Sequence, residues 1–398
     1  MSLSKENKYP EIRFKGFTEA WEQRKLGEIA QITMGQSPNG KNYTNNQNDY
    51  ILVQGNADMK NGKVAPRVWT TQVTKTAMPN DIILSVRAPV GDVGKTDYSV
   101  VLGRGVAGIK GNEFIYQTLL HLKRVGFWVK YTTGSTFESI NSKDLKKALI
   151  YIPSENEQFQ IGEFLKKIDN TIALHQGKLD SLKELKAGYL QALFPEKDKE
   201  TPYIPFAKVK GTWEQRKLSE VANIIGGGTP STNNPDYWNG NIDWYSPAEI
   251  GDQIYLNDSI KKITKLGLKK SSAKVLPVGS ILFTSRAGIG NTAILAKEAA
   301  TNQGFQSIVP YKSELNSYFI YSRTNELKRY GEITGAGSTF VEVSGKQMAK
   351  MPIRVPSIEE QYKIGNFFKQ FDIIISFQQQ KLNKLKELKK AYLNKMFV

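Results

Sequence analysis

Arginine is scarce in this chain, 11 residues against 44 lysines, yet two arginines fall at matching points. Ser85-Val86-Arg87-Ala88 and Thr284-Ser285-Arg286-Ala287 each end an apolar run that reads as a buried strand, and each leads into a glycine-containing loop. A guanidinium so placed can grip a phosphate bidentately or read guanine O6 and N7. It can equally close a structural ion pair that ties the loop. A second matched pair is Gly134-Ser135-Thr136-Phe137 and Gly337-Ser338-Thr339-Phe340. Small hydroxyl residues beside glycine let backbone N–H groups approach phosphate. Thr132, Thr133, Ser135, Ser338 and Thr339 are therefore candidate contacts, while Phe137 and Phe340 are expected to anchor a tight turn. Polar loops at 36–48 and 231–241 carry side chains suited to base edges. They contribute Gln36, Lys41, Ser231 and Asn233, and Arg104, Thr229 and Gln303 complete the set of candidate nucleic-acid contacts.

Catalytic chemistry finds little support. Gly91-Asp92-Val93-Gly94-Lys95-Thr96 ends like a phosphate-binding loop, but Pro89 stands where that loop needs its first glycine. Gly226-Gly227-Gly228-Thr229-Pro230 opens no helix and reads as a flexible loop. Asn234-Pro235-Asp236-Tyr237 echoes the N-P-P-Y loop of amino-methyltransferases without its second proline, and reads as a polar turn. The chain has no cysteine, so disulfides, zinc fingers and thiol chemistry are excluded. Its two histidines, His121 and His175, suggest neither a metal site nor a serine triad. No resident metal or cofactor is expected. So many missing chemistries favour a binding protein.

The elements that must position these residues occur twice. Trp21-Glu22-Gln23-Arg24-Lys25-Leu26 returns 192 residues later as Trp213-Glu214-Gln215-Arg216-Lys217-Leu218. Further on the offset grows to 203, and 161–194 matches 364–397 without a gap, with 17 identities in 34 positions. Residues 1–154 and 212–355 alternate short apolar segments with turn residues, the texture of mixed α/β regions. Phe114–Lys123 reads as a helix, and Pro277–Phe283 repeats the strand that follows Pro79. Residues 155–194 and 356–398 instead show apolar spacings of three, four and seven, each behind a Pro-Ser start with Glu157 or Glu360 at the third place of a capping box. Each helix spans about 37 residues, roughly 55 Å. A stripe that long needs another helix, and the equal lengths favour an antiparallel coiled coil within the chain over two interchain contacts. The stripe expected to pair the helices and to bind partner subunits holds Ile161, Phe164, Ile168, Leu179, Leu182 and Tyr189 in the first helix. In the second it holds Ile364, Phe367, Phe371, Leu382, Leu385 and Tyr392. Residues 195–211, rich in Pro and Lys, read as a linker. The fold class is α+β with a pseudo-two-fold internal repeat.

Length of 398 residues fits roughly two to three domains, and a formal net charge of +17 points to a polyanionic partner, most often nucleic acid. No run approaches the ~18 apolar residues of a membrane helix. The polar stretch Met1–Pro10 is unlike a signal peptide, so a cytoplasmic protein with no membrane contact is expected.

The ordered parts resemble one family. Both halves open with W-E-x-x-K-L-x-E-[IV]-A, the first preceded by Arg13-Phe14-Lys15-Gly16-Phe17. Both continue with the strand leading to Arg87 or Arg286, the G-S-T-F loop, Pro-Ser and a long helix. This set is similar to the specificity subunit of a type I restriction–modification system. The resemblance implies two target recognition domains, each reading one half of a bipartite sequence in double-stranded DNA. It also implies that the helices fix the spacer and dock two methyltransferase subunits, which use S-adenosylmethionine to methylate adenine at N6. Two restriction subunits, which use ATP and Mg²⁺, complete that assembly, and the specificity subunit has no catalytic site. Half-site centres one duplex turn apart, about 34–36 Å, suit helices near 55 Å overlapping antiparallel. Divergent domains imply an asymmetric target. A self-sufficient modification or restriction enzyme with an unrecognised motif is the alternative, and an interaction scaffold with incidental charge a third.

Overall fold

The computed structural model describes residues 8–131, 139–196, 199–206, 212–286, 288–336 and 342–398. The chain divides into two compact units, one of residues 1–177 with 380–398, the other of residues 178–379. The division runs through the middle of both long helices, Glu155–Ala192 and Ile358–Lys395. Each unit therefore holds one mixed α/β domain and a half of each helix.

The first unit stacks two sheets. One has the strand order Gln31–Met34, Val106–Lys110, Ile82–Ser85, Val93–Lys95, Lys63–Val64, Met59–Lys60. The other has the order Tyr43–Thr44, Trp69–Thr70, Tyr50–Val53, Val100–Leu102, Thr76–Ala77. Ile82–Ser85 is wholly buried, as its unbroken apolar run requires of a central strand. The helix Glu113–Arg124 covers this layer, capped by Asn112, whose side-chain oxygen accepts from Ile115 N. In the second unit, Ala222–Gly226, Gln306–Pro310, Ile281–Phe283, Thr292–Leu295 and Tyr255–Leu256 form the main sheet. Lys261–Ile263, Trp238–Tyr245 and Ala299–Thr301 form the second.

The W-E-Q-R-K-L repeat has the same structural job in both units. Glu22–Lys25 pairs antiparallel with Leu149–Ile152, and Glu214–Lys217 with Pro352–Val355. These two-stranded ribbons lie immediately before the long helices. Trp21 and Trp213 are buried beneath them.

Within each unit the two helix halves run side by side in opposite chain directions. In the first, the Phe164 and Tyr392 rings meet at 4.9 Å and Lys389 pairs with Asp169 at 2.6 Å. In the second, Tyr189 meets Phe367 at 5.1 Å and Lys186 pairs with Asp372 at 2.6 Å. The ends of the helices close the domain cores. Phe397 sits among Trp21, Phe114 and His121. Phe194 sits among Trp213, Phe319 and Phe368. Burial against these rings pushes the His121 pKa below its ordinary value.

One expectation changes at the helix starts. The described contact of the Glu157 carboxylate is with Arg13, which donates to both its oxygens at 2.7 Å, rather than with the Ser154 N–H of a capping box. Its counterpart Glu360 instead accepts a hydrogen bond from the Trp213 indole, while the Glu360 N–H donates to Ser357 Oγ at 3.3 Å. The segment before Trp213 lacks the first half's R-F-x-G-F, yet its packing repeats. Phe206 meets Phe367 at 5.5 Å, as Phe14 meets Phe164 at 5.7 Å.

Candidate nucleic-acid interface

Three loops converge on the edge formed by the strand ends of the first unit's main sheet. Gly35 N–H donates to Val106 O and Gln36 N–H to Leu102 O, fixing the loop after Gln31–Met34. Val86 N–H donates to Gly105 O, fixing the residue before Arg87. Arg104 N–H donates to Ser37 Oγ at 3.1 Å. Gly105 is required by close approach, since a Cβ there would lie 2.0 Å from Gln54 O. The result is an open depression of about 390 Å³ lined by Ser37, Tyr43, Gln54, Arg87 and Arg104 among others. Arg87 and Arg104 are both exposed, and neither makes an ion pair among the described residues. Among the described residues, backbone pairing with Ser139 anchors the Arg87 loop.

The second unit builds the same edge. Gly228 N–H donates to Thr301 O, and Ser285 N–H to Gly304 O. Arg286 pairs through its backbone with Glu342, as Arg87 does with Ser139. The hydroxyls of Ser85 and Thr284 each accept from the N–H seven residues on and donate to the carbonyl four residues on. These bonds align Arg87 with Arg286, Ser37 with Thr229, and Arg104 with Gln303. The Thr229 hydroxyl donates to Gln303 Oε1. The glycine cluster is not a flexible loop as expected. A Cβ on Gly227 would lie 2.0 Å from Asn302 O, so close backbone approach demands the glycine.

The structure thus brings Gln36, Arg87 and Arg104 to one edge, and Thr229, Arg286 and Gln303 to its twin. Lys41 lies in the exposed turn Gly40–Asn42, whose cap Asn39 is tied by Gln72 at 2.8 Å. Ser231 O accepts from Trp238 Nε1 at 3.1 Å, and Ser231 and Asn233 are exposed. Asn234 Oδ1 accepts from Asp236 N at 3.0 Å, the polar turn expected there. Lys95 belongs to the strand Val93–Lys95 and pairs with Glu113, so no phosphate loop forms. Thr132, Thr133, Ser135, Ser338 and Thr339, with Phe137 and Phe340, lie outside the described residues. Sequence reading missed Gln54, and did not single out Ser37 and Tyr43 within the 36–48 loop it named. It also missed the Arg104–Gln303 correspondence, which is signalled by a shared offset of 199 with Arg87 and Arg286 and by a glycine after each residue.

The helix stripe needs correcting as a surface for other proteins. Ile161, Leu179, Ile364 and Leu382 are buried within this chain. Phe164, Ile168, Tyr189 and Phe367 pack against their own domain cores, and Phe371 and Tyr392 lie in the ring contacts between helix halves. Leu182 and Leu385 are half-buried. The apolar helix residues left exposed are others, among them Phe159, Leu174, Tyr362, Ile374 and Phe377. Among the described residues no cluster of acidic and histidine side chains could hold a metal ion, and no helix is long and apolar enough to cross a membrane.

Two copies of one α/β domain, each joined to halves of the same helix pair and presenting a three-loop edge with an arginine at the equivalent place, define a tandem-repeat protein. The model of the type I restriction modification DNA specificity domain matches residues 18–184 and again 210–387, and the chain belongs to that family. Over 183 residues it is 35% identical to the type I restriction enzyme MjaIX specificity subunit of Methanocaldococcus jannaschii, covering 45% of this chain and 42% of that one. Over 173 residues it is 30% identical to the EcoR124I/EcoR124II specificity subunit of Escherichia coli, covering 42% of each. These matches span less than half of either relative. A third relative, the MjaVIII specificity subunit of M. jannaschii, is 20% identical over 420 residues, covering 99% of this chain and 96% of that one. In fold, the chain resembles the S subunit of a type I restriction-modification system from M. genitalium, with a TM-score of 0.68 at 16% identity over 98% and 99% of the two chains.

Proposed function

We propose that this chain is the DNA-binding specificity subunit of a type I restriction–modification complex. Each domain reads one half of an asymmetric bipartite duplex target through its three-loop edge. One observation carries the reading: the two units build the same edge from the same backbone bonds, but arm it with different side chains. A scaffold held in common with loops that differ suits a target whose halves differ. The net charge of +17 supplies the sequence-independent attraction to phosphate.

The paired helices act as an antiparallel coiled coil that sets the spacer between half-sites. They dock two methyltransferase subunits on their exposed face, and two restriction subunits complete the complex. Adenine-N6 methylation with S-adenosylmethionine, and cleavage driven by ATP and Mg²⁺, belong to those partners, and this chain contributes no catalytic group. The complex works in the cytoplasm.

The chain is purified alone and together with a cognate methyltransferase subunit, then given duplex DNA, Mg²⁺ and S-adenosylmethionine. Methyl transfer is expected only from the mixture. Methylation or cleavage by the lone chain contradicts the reading. Binding should weaken steeply with salt, with a log–log slope of about −0.9 per neutralised phosphate, whereas a scaffold with incidental charge gives a flat line.

A further inference from the structure

We infer that the two edge positions divide the labour of recognition. Arg87 and Arg286 hold the DNA backbone, while Arg104 in one domain and Gln303 in the other read a base, guanine and adenine respectively. This rests on the proposed function and assigns roles within the same interface.

The internal repeat supplies the logic. Arg87 and Arg286 occupy equivalent places, each one residue beyond a hydrogen bond to the matching glycine carbonyl and each bridged to the strand-like residue Ser139 or Glu342. A residue that is the same in both domains cannot make two half-sites differ. Its guanidinium suits what both half-sites share, the phosphates. The next loop differs where it matters. Arg104 and Gln303 are exposed at equivalent points, each followed by a glycine pressed against the neighbouring loop. That contact fixes the backbone, so the side chain alone varies. Ser37 Oγ holds the Arg104 N–H, and Thr229 donates to Gln303 Oε1.

The chemistry of each side chain then selects a base. Arginine presents two parallel N–H donors, which match guanine O6 and N7 in the major groove. Glutamine presents one acceptor and one donor, which match adenine N6 and N7. Gln303 Oε1 keeps a second lone pair while accepting from Thr229, and its Nε2 donors remain for N7. Arg104 shares its depression with Arg87, so one arginine can grip a phosphate while the other faces the groove.

The test uses the assembled methyltransferase complex on a library of duplex targets, reading methylated sites by sequencing and affinity by salt titration. R104Q should move one position of the first half-site from G·C towards A·T, by roughly ten- to hundredfold in preference, and leave the second half-site unchanged. Q303R should do the reverse at the second half-site. R104K keeps the charge but not the planar fork, so it should hold affinity within a few-fold while losing discrimination at that base. R87Q should weaken binding to all targets alike and make the salt slope shallower by about one. If R104Q and R104K leave the target unchanged while the wild-type complex methylates a bipartite site, the division of roles is wrong. If R87Q alters the preferred sequence, it is likewise wrong. If the wild-type complex marks no bipartite site, the proposed function itself fails.

Discussion

Glu157 and Glu360 occupy matching places in the two halves, yet among the described residues only the first makes an ion pair. Arg13 grips Glu157 with two bonds of 2.7 Å, whereas the residue that aligns with Arg13 is Pro205. Hydrogen bonding to Glu157 raises the Arg13 pKa further above its ordinary value. Glu360 is 4% exposed and has the Trp213 indole as donor, and burial pushes its carboxyl above the usual carboxylate range. Trp21 shows the reverse trade, since its Nε1 finds no hydrogen-bond partner among the described residues. Breaking a buried pair from one side leaves the other charge uncompensated, so E157Q should lower stability by on the order of 3 kcal/mol in thermal or urea unfolding. E360Q keeps an acceptor for Trp213 and should stay within about 1 kcal/mol of wild type at pH 7. The sign with pH follows from the raised value. Wild type is free of the penalty below the ordinary carboxylate pKa, and loses stability as pH rises through the raised one. E360Q should lack that decline, and a decline of equal size in both proteins would contradict the assignment.

At the scale of the element, each long helix serves both domains. Its first half packs on the domain before it, and its last residues close the core of the other. Phe397 and Phe194 are the closing plugs, stacked at 5.4 Å on Phe114 and 5.9 Å on Phe368. F397A and F194A should each cost roughly 3–5 kcal/mol, read as a fall in unfolding midpoint. A loss under about 1 kcal/mol for either would show that the plug is dispensable. Much of this was legible in the sequence. Helical periodicity gave both helices to within a few residues, because apolar spacing of three and four is the direct imprint of a helix. The strand before each arginine was legible too, because a central strand is apolar throughout. The closing of each domain by a distant helix end was not, because nothing in the periodicity sets Phe194 and Phe397 apart until the fold brings Trp213 and Trp21 to them. The glycine cluster was misjudged for a related reason. Glycine marks both mobility and close backbone approach, and only the carbonyl of Asn302 decides between them. Arg104 and Gln303 were visible as polar loop residues, but their equivalence needed the hydrogen-bond pattern.

At the scale of the whole molecule, the proposed function joins two readers of sequence to one measure of distance. A matched seven-residue insertion after Leu174 and after Phe377 keeps the helical face and adds about 10.5 Å, roughly three base pairs at 3.4 Å each. Methylation mapping should show the spacer lengthened with both half-sites intact, and an unchanged spacer would refute the ruler. The central claim is met most directly by a genome-wide map of N6-methyladenine. The chain is co-expressed with a cognate type I methyltransferase subunit in a host lacking other adenine methylation, and compared with the methyltransferase subunit alone. Marks should appear only with this chain, at one motif of two different half-sites separated by a fixed unspecified spacer. Marks at a continuous or palindromic motif, or the same marks without this chain, would contradict the account.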